Sequence, residues 1–122
     1  MPETRVVFYK DDDGSVPLLE WLGTLEEKAV AKAVAVIELL RQQGHELRRP
    51  HADFLRDGIY EVRARQGKVR PRMFYFFHNE VAVLPHGIKK QGAKVPPKEI
   101  DRAIRFRERY QPDPAGHTHE EG

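Results

Sequence analysis

Residues 59–88 read IYEVRARQGKVRPRMFYFFHNEVAVLPHGI. Ile59–Arg65 alternates, with Tyr60, Val62 and Ala64 toward one side and Glu61, Arg63 and Arg65 toward the other. That is the period of a half-buried strand. Gln66-Gly67-Lys68 is a short hairpin connection. Val69–Phe77 is rich in aromatic side chains and makes a second strand, in which Pro71 favours an edge or bulge position. His78-Asn79-Glu80 turns the chain again, and Val81–Ile88 makes a third strand. Three strands joined by such short turns must pair antiparallel.

Outward from this meander the pattern changes. Upstream, Asp57-Gly58 is a turn signal, and His45–Leu55 reads as a polar connection holding Arg48, Arg49, Pro50 and His51. Before it, Leu25, Ala29, Ala33, Val36, Ile37 and Leu40 recur at three-to-four spacing, the apolar face of a helix closed by Gly44. Thr24-Leu25-Glu26-Glu27 is a capping-box pattern for its start. Pro17 suits the first turn of a short helix, Leu18–Leu22, ending at Gly23. Thr4–Tyr9 (TRVVFY) reads as a first strand. Downstream, residues 89–95 (KKQGAKV) make a basic loop, and Pro96-Pro97 opens a last helix reaching Tyr110. Residues 111–122 (QPDPAGHTHEEG) carry Pro, Gly and acids and read as a flexible acidic tail.

The order is β-α-α-β-β-β-α. It predicts one α+β domain over residues 1–110, with an antiparallel sheet packed on helices. One sheet face is expected to lie against the helices. The other is expected to carry Glu61, Arg63 and Arg65 outward, with Arg70 and Arg72 if register permits.

The chain has 122 residues, which suits a single domain. Hydrophobic residues make up 39% and charged residues 33%, a globular composition with a heavily charged surface. No apolar run approaches the roughly 20 residues a membrane helix needs. The first residues show no basic stretch followed by an apolar one, so no secretory signal is expected and the expected compartment is the cytoplasm. With no cysteine, thiol nucleophiles, thiolate metal sites and disulfides are all excluded.

The net charge of +2 hides an asymmetry. Residues 1–40 carry −4, residues 41–110 carry +9 and residues 111–122 carry −3. Such a field suits a polyanionic partner, although a solvated basic face is the plain alternative. Alternate strand side chains lie about 7 Å apart on one face, a spacing that matches successive phosphates of an extended strand. Arginine suits phosphate because its fork donates bidentately and stays charged. Arg63, Arg65 and Arg72, with Lys89 and Lys90 at a strand end, are therefore the candidate cations of a catalytic site. Arg48, Arg49, Arg70 and Lys94 are candidate RNA-binding cations. Of Tyr60, Phe74, Tyr75, Phe76 and Phe77, at least three are expected to be buried and at most two to touch a base, and Phe74 is the one we assign to a base. Glu61 and His86 are the candidate general bases, and Lys89 or Lys90 the candidate acid. His117, His119 and Glu120 make a poor metal site on a loose tail, so no metal or other cofactor is expected. No P-loop or G-x-G-x-x-G occurs.

Several features then converge on one family: Y-E-V-R before the hairpin, R-M-F-Y-F-F after it, L-P-H-G-I-K-K, P-P-K-E-I opening the last helix, and L-R-R-P-H upstream. In order and spacing, residues 4–110 resemble the HigB-type, phage-derived branch of the RelE/ParE toxin superfamily. The resemblance implies a ribosome-dependent endoribonuclease that cuts mRNA without a metal and halts translation. It implies a type II toxin neutralised by a cognate antitoxin, one that usually carries a helix-turn-helix DNA-binding domain. By position it implies functional roles for Arg63, Arg65, Arg72, Lys89 and Lys90. Glu61 stands where some relatives are basic. Two alternatives stay open: a ParE-type toxin of the same fold acting on DNA gyrase, and a non-catalytic nucleic-acid-binding regulatory module.

Overall fold

The computed structural model describes residues 3–90, 92 and 94–120. Its elements are β1 (Arg5–Tyr9), α1 (Pro17–Leu22), α2 (Glu27–Gln43), β2 (Ala52–Arg56), β3 (Ile59–Arg63), β4 (Pro71–His78), β5 (Val81–Leu84), β6 (Gly87–Lys89), α3 (Pro97–Tyr110) and β7 (Thr118–His119). The strands form one sheet in the order β2-β3-β4-β5-β1-β7, with β6 also paired to β4. Pairing is antiparallel except between β1 and β5, which run parallel. The α+β class and the central meander are as the sequence predicts.

The sheet is covered on both faces, not one. Phe8, Val62, Met73, Tyr75, Ala82 and Leu84 pack with Leu18 of α1 and Ala33, Val36 and Leu40 of α2. Val7, Tyr9, Ile59, Phe74, Phe76 and Val83 pack with Ile100, Ala103, Phe106 and Tyr110 of α3. Each strand therefore sends alternate side chains into two cores. The face expected to lie open is roofed by α3 over most of its length, and only its β2–β3 corner is left for charge.

Four local differences arise from specific residues. β2 lies inside the stretch predicted as a polar connection. It is joined to β3 through Asp57 (φ 52°) and Gly58 (φ 79°), the pair of left-handed residues that a two-residue hairpin needs. Pro71 is the first residue of β4, where a missing N–H is tolerated, and its carbonyl accepts from the Ala64 amide at 3.1 Å. The predicted strand Val81–Ile88 is interrupted at Pro85-His86. Phe76 pairs with Val83 and Met73 with Gly87, so β5–β6 spends one more residue than β4 does. This bulge re-aims the residues after it, leaving Ile88 against the α3 core. Lastly, Thr24 does not cap α2: its hydroxyl donates to the Trp21 carbonyl at 2.6 Å, and α2 begins after Glu26 without a side-chain cap.

Two glycines are fixed by their surroundings. Gly44 ends α2 at φ 53°, and a Cβ there would sit 2.1 Å from Thr4 Oγ1. At Gly87 a Cβ would meet the Trp21 ring at 2.5 Å, so α1 can lie on β6 only because the side chain is missing.

Residues 111–120, read as a flexible tail, are docked. β7 pairs antiparallel with β1, and the Lys10 amide donates to the His117 carbonyl at 2.9 Å. His117 is buried, stacked 5.5 Å from the Tyr9 ring, with Nε2 2.7 Å from Asp12 Oδ1 and Nδ1 2.9 Å from the Asp113 carbonyl. One imidazole thus anchors the segment, which is why the lack of large apolar residues misleads. His117 is therefore held by protein groups and is not free to be the metal ligand considered from sequence. The Asp12 hydrogen bond and the Asp113 carbonyl raise the His117 pKa above its ordinary 6.5. A raised folded value means that the contact stabilises fully below about pH 6.5 and loses its effect as pH rises through that raised value. The melting temperature should therefore fall more between pH 6 and pH 8.5 in the native chain than in His117→Gln, and truncation after Tyr110 should lower it at both. Parallel pH dependences in the native chain and His117→Gln would refute the anchor. Among the described residues, no helix is long and apolar enough to cross a membrane.

Candidate functional site

The β2–β3 hairpin and β4 bring charge together by register. Asp53 lies opposite Glu61, and Arg63 opposite Arg72. Alternation puts all four on the α3 face, just beyond the edge of the core that α3 covers. Glu61 is only 2% exposed. Its Oε2 accepts from Arg63 Nε at 3.2 Å and Nη2 at 3.1 Å, and its Oε1 lies 3.2 Å from Arg72 Nε. Asp53 Oδ2 accepts from Arg63 Nη2 at 3.2 Å and from Arg49 Nη2 at 2.8 Å. Charges thus alternate along Arg49, Asp53, Arg63, Glu61 and Arg72, from exposed to buried.

The electrostatics match that gradient. The Arg49 hydrogen bond holds the Asp53 carboxyl below its ordinary pKa. Burial pulls the Arg72 guanidinium below its usual value, Glu61 opposes this, and Arg63, Arg70 and Arg65 reinforce it. Lys90 is likewise lowered, first by burial and then by Arg72, with Glu61 opposing. Its backbone amide donates to the Arg70 carbonyl at 2.9 Å, which extends the β6 ladder and brings the ammonium to the cluster. A groove of about 370 Å³ runs over these groups, lined by Arg49, Asp53, Glu61, Arg63, Lys90 and Lys94. A second cavity, about 480 Å³, opens toward α2 and reaches Arg63, Arg65 and Arg72 from the other side. Arg63 is the cation that lines both.

The structure therefore gathers Arg49, Glu61, Arg63, Arg72, Lys90 and Lys94. Arg65 and Arg70 are exposed at the margin and contribute through their charge. Lys89, exposed and opposite Pro71, falls on the other side of its strand from Lys90.

Several expectations are corrected. Glu61 does not present its carboxylate to solvent but is buried between two arginines, Arg63 and Arg72. Arg72 is not an open surface cation either, its side chain being 9% exposed. His86 is apart from the site: it lies in the bulge, packed on Phe74 and Phe106, with Nε2 3.2 Å from Glu99. Burial pushes its pKa down to about 3, so it stays uncharged near neutral pH, and its ring is closed off from solvent. Phe74, assigned to a base from sequence, is fully buried and offers no exposed ring face. Phe74, Tyr75 and Phe76 form core, while Tyr60 and Phe77 are half-buried, in line with the expectation for the aromatic run as a whole. Arg48 donates to the His45 and Leu47 carbonyls and lines a separate cavity.

Sequence patterning does not single out Asp53 and Phe54. Both sit in β2, and the available signal is A-D-F-L-R running directly into Asp57-Gly58, a mirror of I-Y-E-V-R on the other side of the turn.

A comparison with curated proteins found no match. The family model described as phage derived protein Gp49-like matches residues 20–108, which takes in every member of the charged cluster. From α1 to the last turn of α3, the chain belongs to the phage-derived Gp49-like family.

Proposed function

We propose that this protein is the toxin of a type II toxin–antitoxin pair and that it cuts mRNA on the ribosome. The observation that carries this reading is Arg63: half-buried, gripped by two carboxylates, and on the floor of a groove that also holds Lys90. A guanidinium fixed in this way is preorganised for a phosphate. In the reaction, a ribose 2′-hydroxyl attacks the adjacent phosphorus, the bond to the 5′-oxygen breaks, and a 2′,3′-cyclic phosphate forms. Arg63 takes the non-bridging oxygens as charge builds, and Arg72 adds its field from beneath. Lys90, with its lowered pKa, gives a proton to the departing 5′-oxygen.

Glu61 is a positioning residue in this scheme, since its carboxylate is spent on Arg63 and Arg72. The carboxylate at the groove surface is Asp53, whose Oδ2 already serves two guanidiniums, so it is a weak base for the 2′-hydroxyl. Much of the acceleration must then come from orientation, which a ribosome supplies. The fold and the charge pattern agree with the HigB-type resemblance, and the partner is then a cognate antitoxin that covers the basic groove.

Expressed without that partner, the protein should stop growth and leave mRNA ends within codons, and only where ribosomes are present. Primer extension on a reporter transcript, with and without ribosomes, measures this. Rapid cutting of naked RNA in chelator overturns the ribosome dependence. Intact translation with loss of DNA supercoiling supports the gyrase-directed reading, and no effect on either supports the regulatory module.

A further inference from the structure

We propose that the exposed ring of Phe54, with the cavity behind it, is a nucleobase subsite that takes the base of a nucleotide neighbouring the phosphate held at Arg63. Among the described residues, only Phe54 and Val34 are large hydrophobic side chains left exposed, and Phe54 is 53% exposed. Phe54 stands on the edge strand β2 and meets Tyr60 edge-on, with ring centroids 5.2 Å apart at 73°. Tyr60 in turn stacks on Tyr75 at 5.1 Å, so the outermost ring is braced by a buried aromatic column. Exposure of a braced, planar, apolar face is what a stacking platform requires.

The cavity beside it is about 630 Å³, with Leu47, Ala52 and Tyr60 as its floor and His45, Arg48 and Arg49 on its rim. That volume lies in the range of small-molecule sites. Arg49, Asp53 and Phe54 line this cavity and the cleavage groove alike, so the two adjoin at the edge of β2. Arg49 is the seam between a cationic floor on one side and an aromatic wall on the other.

Single-stranded RNA presents that same alternation, a charged phosphate and then a flat base, and stacking on an aromatic ring serves any base. The cationic rim favours a nucleotide over a neutral apolar ligand. The one acid on it, Asp53, is already held by Arg49 and Arg63. The subsite rests on the RNA-cutting reading and adds to it a place for the flanking base. It also supplies the exposed aromatic that Phe74, buried in the core, cannot be.

The test is binding of a 2′-O-methyl RNA trinucleotide, which cannot be cleaved, and of the same trinucleotide with one base removed at a time. Phe54→Ala should weaken binding of the intact trinucleotide by about 5- to 100-fold. Phe54→Trp should restore binding, and its indole emission should be quenched on saturation. Removing one particular base should cost the native protein a similar factor and cost Phe54→Ala little more. The ring is exposed, so the melting temperature should hardly move. Equal binding by native protein and Phe54→Ala, or simply multiplicative losses for ring and base, overturns the subsite while cleavage stands. Failure of the native protein to bind the trinucleotide overturns the subsite, whereas the cleavage reading stands or falls on the primer-extension result with ribosomes. If Phe54→Ala spares RNA and instead weakens the complex with the antitoxin, the ring belongs to a protein contact and the proposal falls.

Discussion

Glu61→Ala should be the most destabilising substitution in the charged cluster, costing about 3–5 kcal/mol. The Arg72 side chain is 9% exposed, and the Glu61 carboxylate is its counter-ion at 3.2 Å. Among the described residues the guanidinium's hydrogen bond runs to the Pro71 carbonyl, at 3.3 Å, so what Glu61 supplies is the neutralising charge. An uncompensated buried charge is what makes such a cut expensive, more than the loss of the attraction itself. Replacing both partners with apolar side chains, Glu61→Met with Arg72→Met, should therefore recover most of the loss, although activity would go. The exposed end of the same network behaves differently. Arg49 is 75% exposed, so Arg49→Ala should cost at most about 1 kcal/mol. Urea melts with matched slopes measure all four proteins. A Glu61→Ala loss below about 1 kcal/mol, or a double variant no better than the single one, would falsify this picture of a buried ion pair.

Arg63→Ala should lower the rate of ribosome-bound mRNA cleavage by about 100- to 1,000-fold, the usual cost of removing one preorganised donor from a developing oxyanion. Arg65→Ala, two residues along on the same strand side but exposed and outside the Asp53–Glu61 clasp, should lose only a few-fold. Arg63→Lys keeps the charge and loses the fork, so it should fall between the two. Single-turnover cleavage on programmed ribosomes gives the ratio, and a urea melt of each variant separates lost chemistry from lost fold. If Arg63→Ala and Arg65→Ala lose activity equally, the arginines act as a diffuse field and the clasp has no catalytic meaning. Arg72→Ala gives a less clean result than a surface cation would, because it takes the nearby cation from buried Glu61 Oε1 and should lose some stability along with activity.

The central meander was legible because alternation, turn residues and aromatic content all pointed the same way over thirty consecutive positions. Which cations converge was partly legible, since Arg63 and Arg72 stand in predicted strands that a hairpin must pair. Their burial was not. It depends on the pairing register that sets Arg63 and Arg72 around Glu61, and nothing in I-Y-E-V-R-A-R records which side chains will close over that carboxylate. The bulge at Pro85-His86 was hidden for a related reason: a histidine before a glycine and two lysines looks catalytic in one dimension. The extra residue, however, turns it into the core between Phe74 and Phe106. β2 escaped because a short edge strand with one exposed ring and two charged positions has the composition of a loop. The docking of residues 111–120 escaped because His117 fills a space that composition reserves for leucine or phenylalanine.

The sheet also sets an order in time. Arg5 pairs with Val81 and Phe8 with His119, so the strand synthesised first finds its neighbours last. Both contacts close long loops, and such closure is slow compared with forming the helices between them. A chain released anywhere between the end of α2 and the start of β5 has made α1 and α2 while β1 still has neither flank. An mRNA cut within that span therefore yields a fragment whose β1 is unpaired, not a weakened copy of the protein. The unpaired edge of such a fragment marks it for pairing with other chains or for proteolysis.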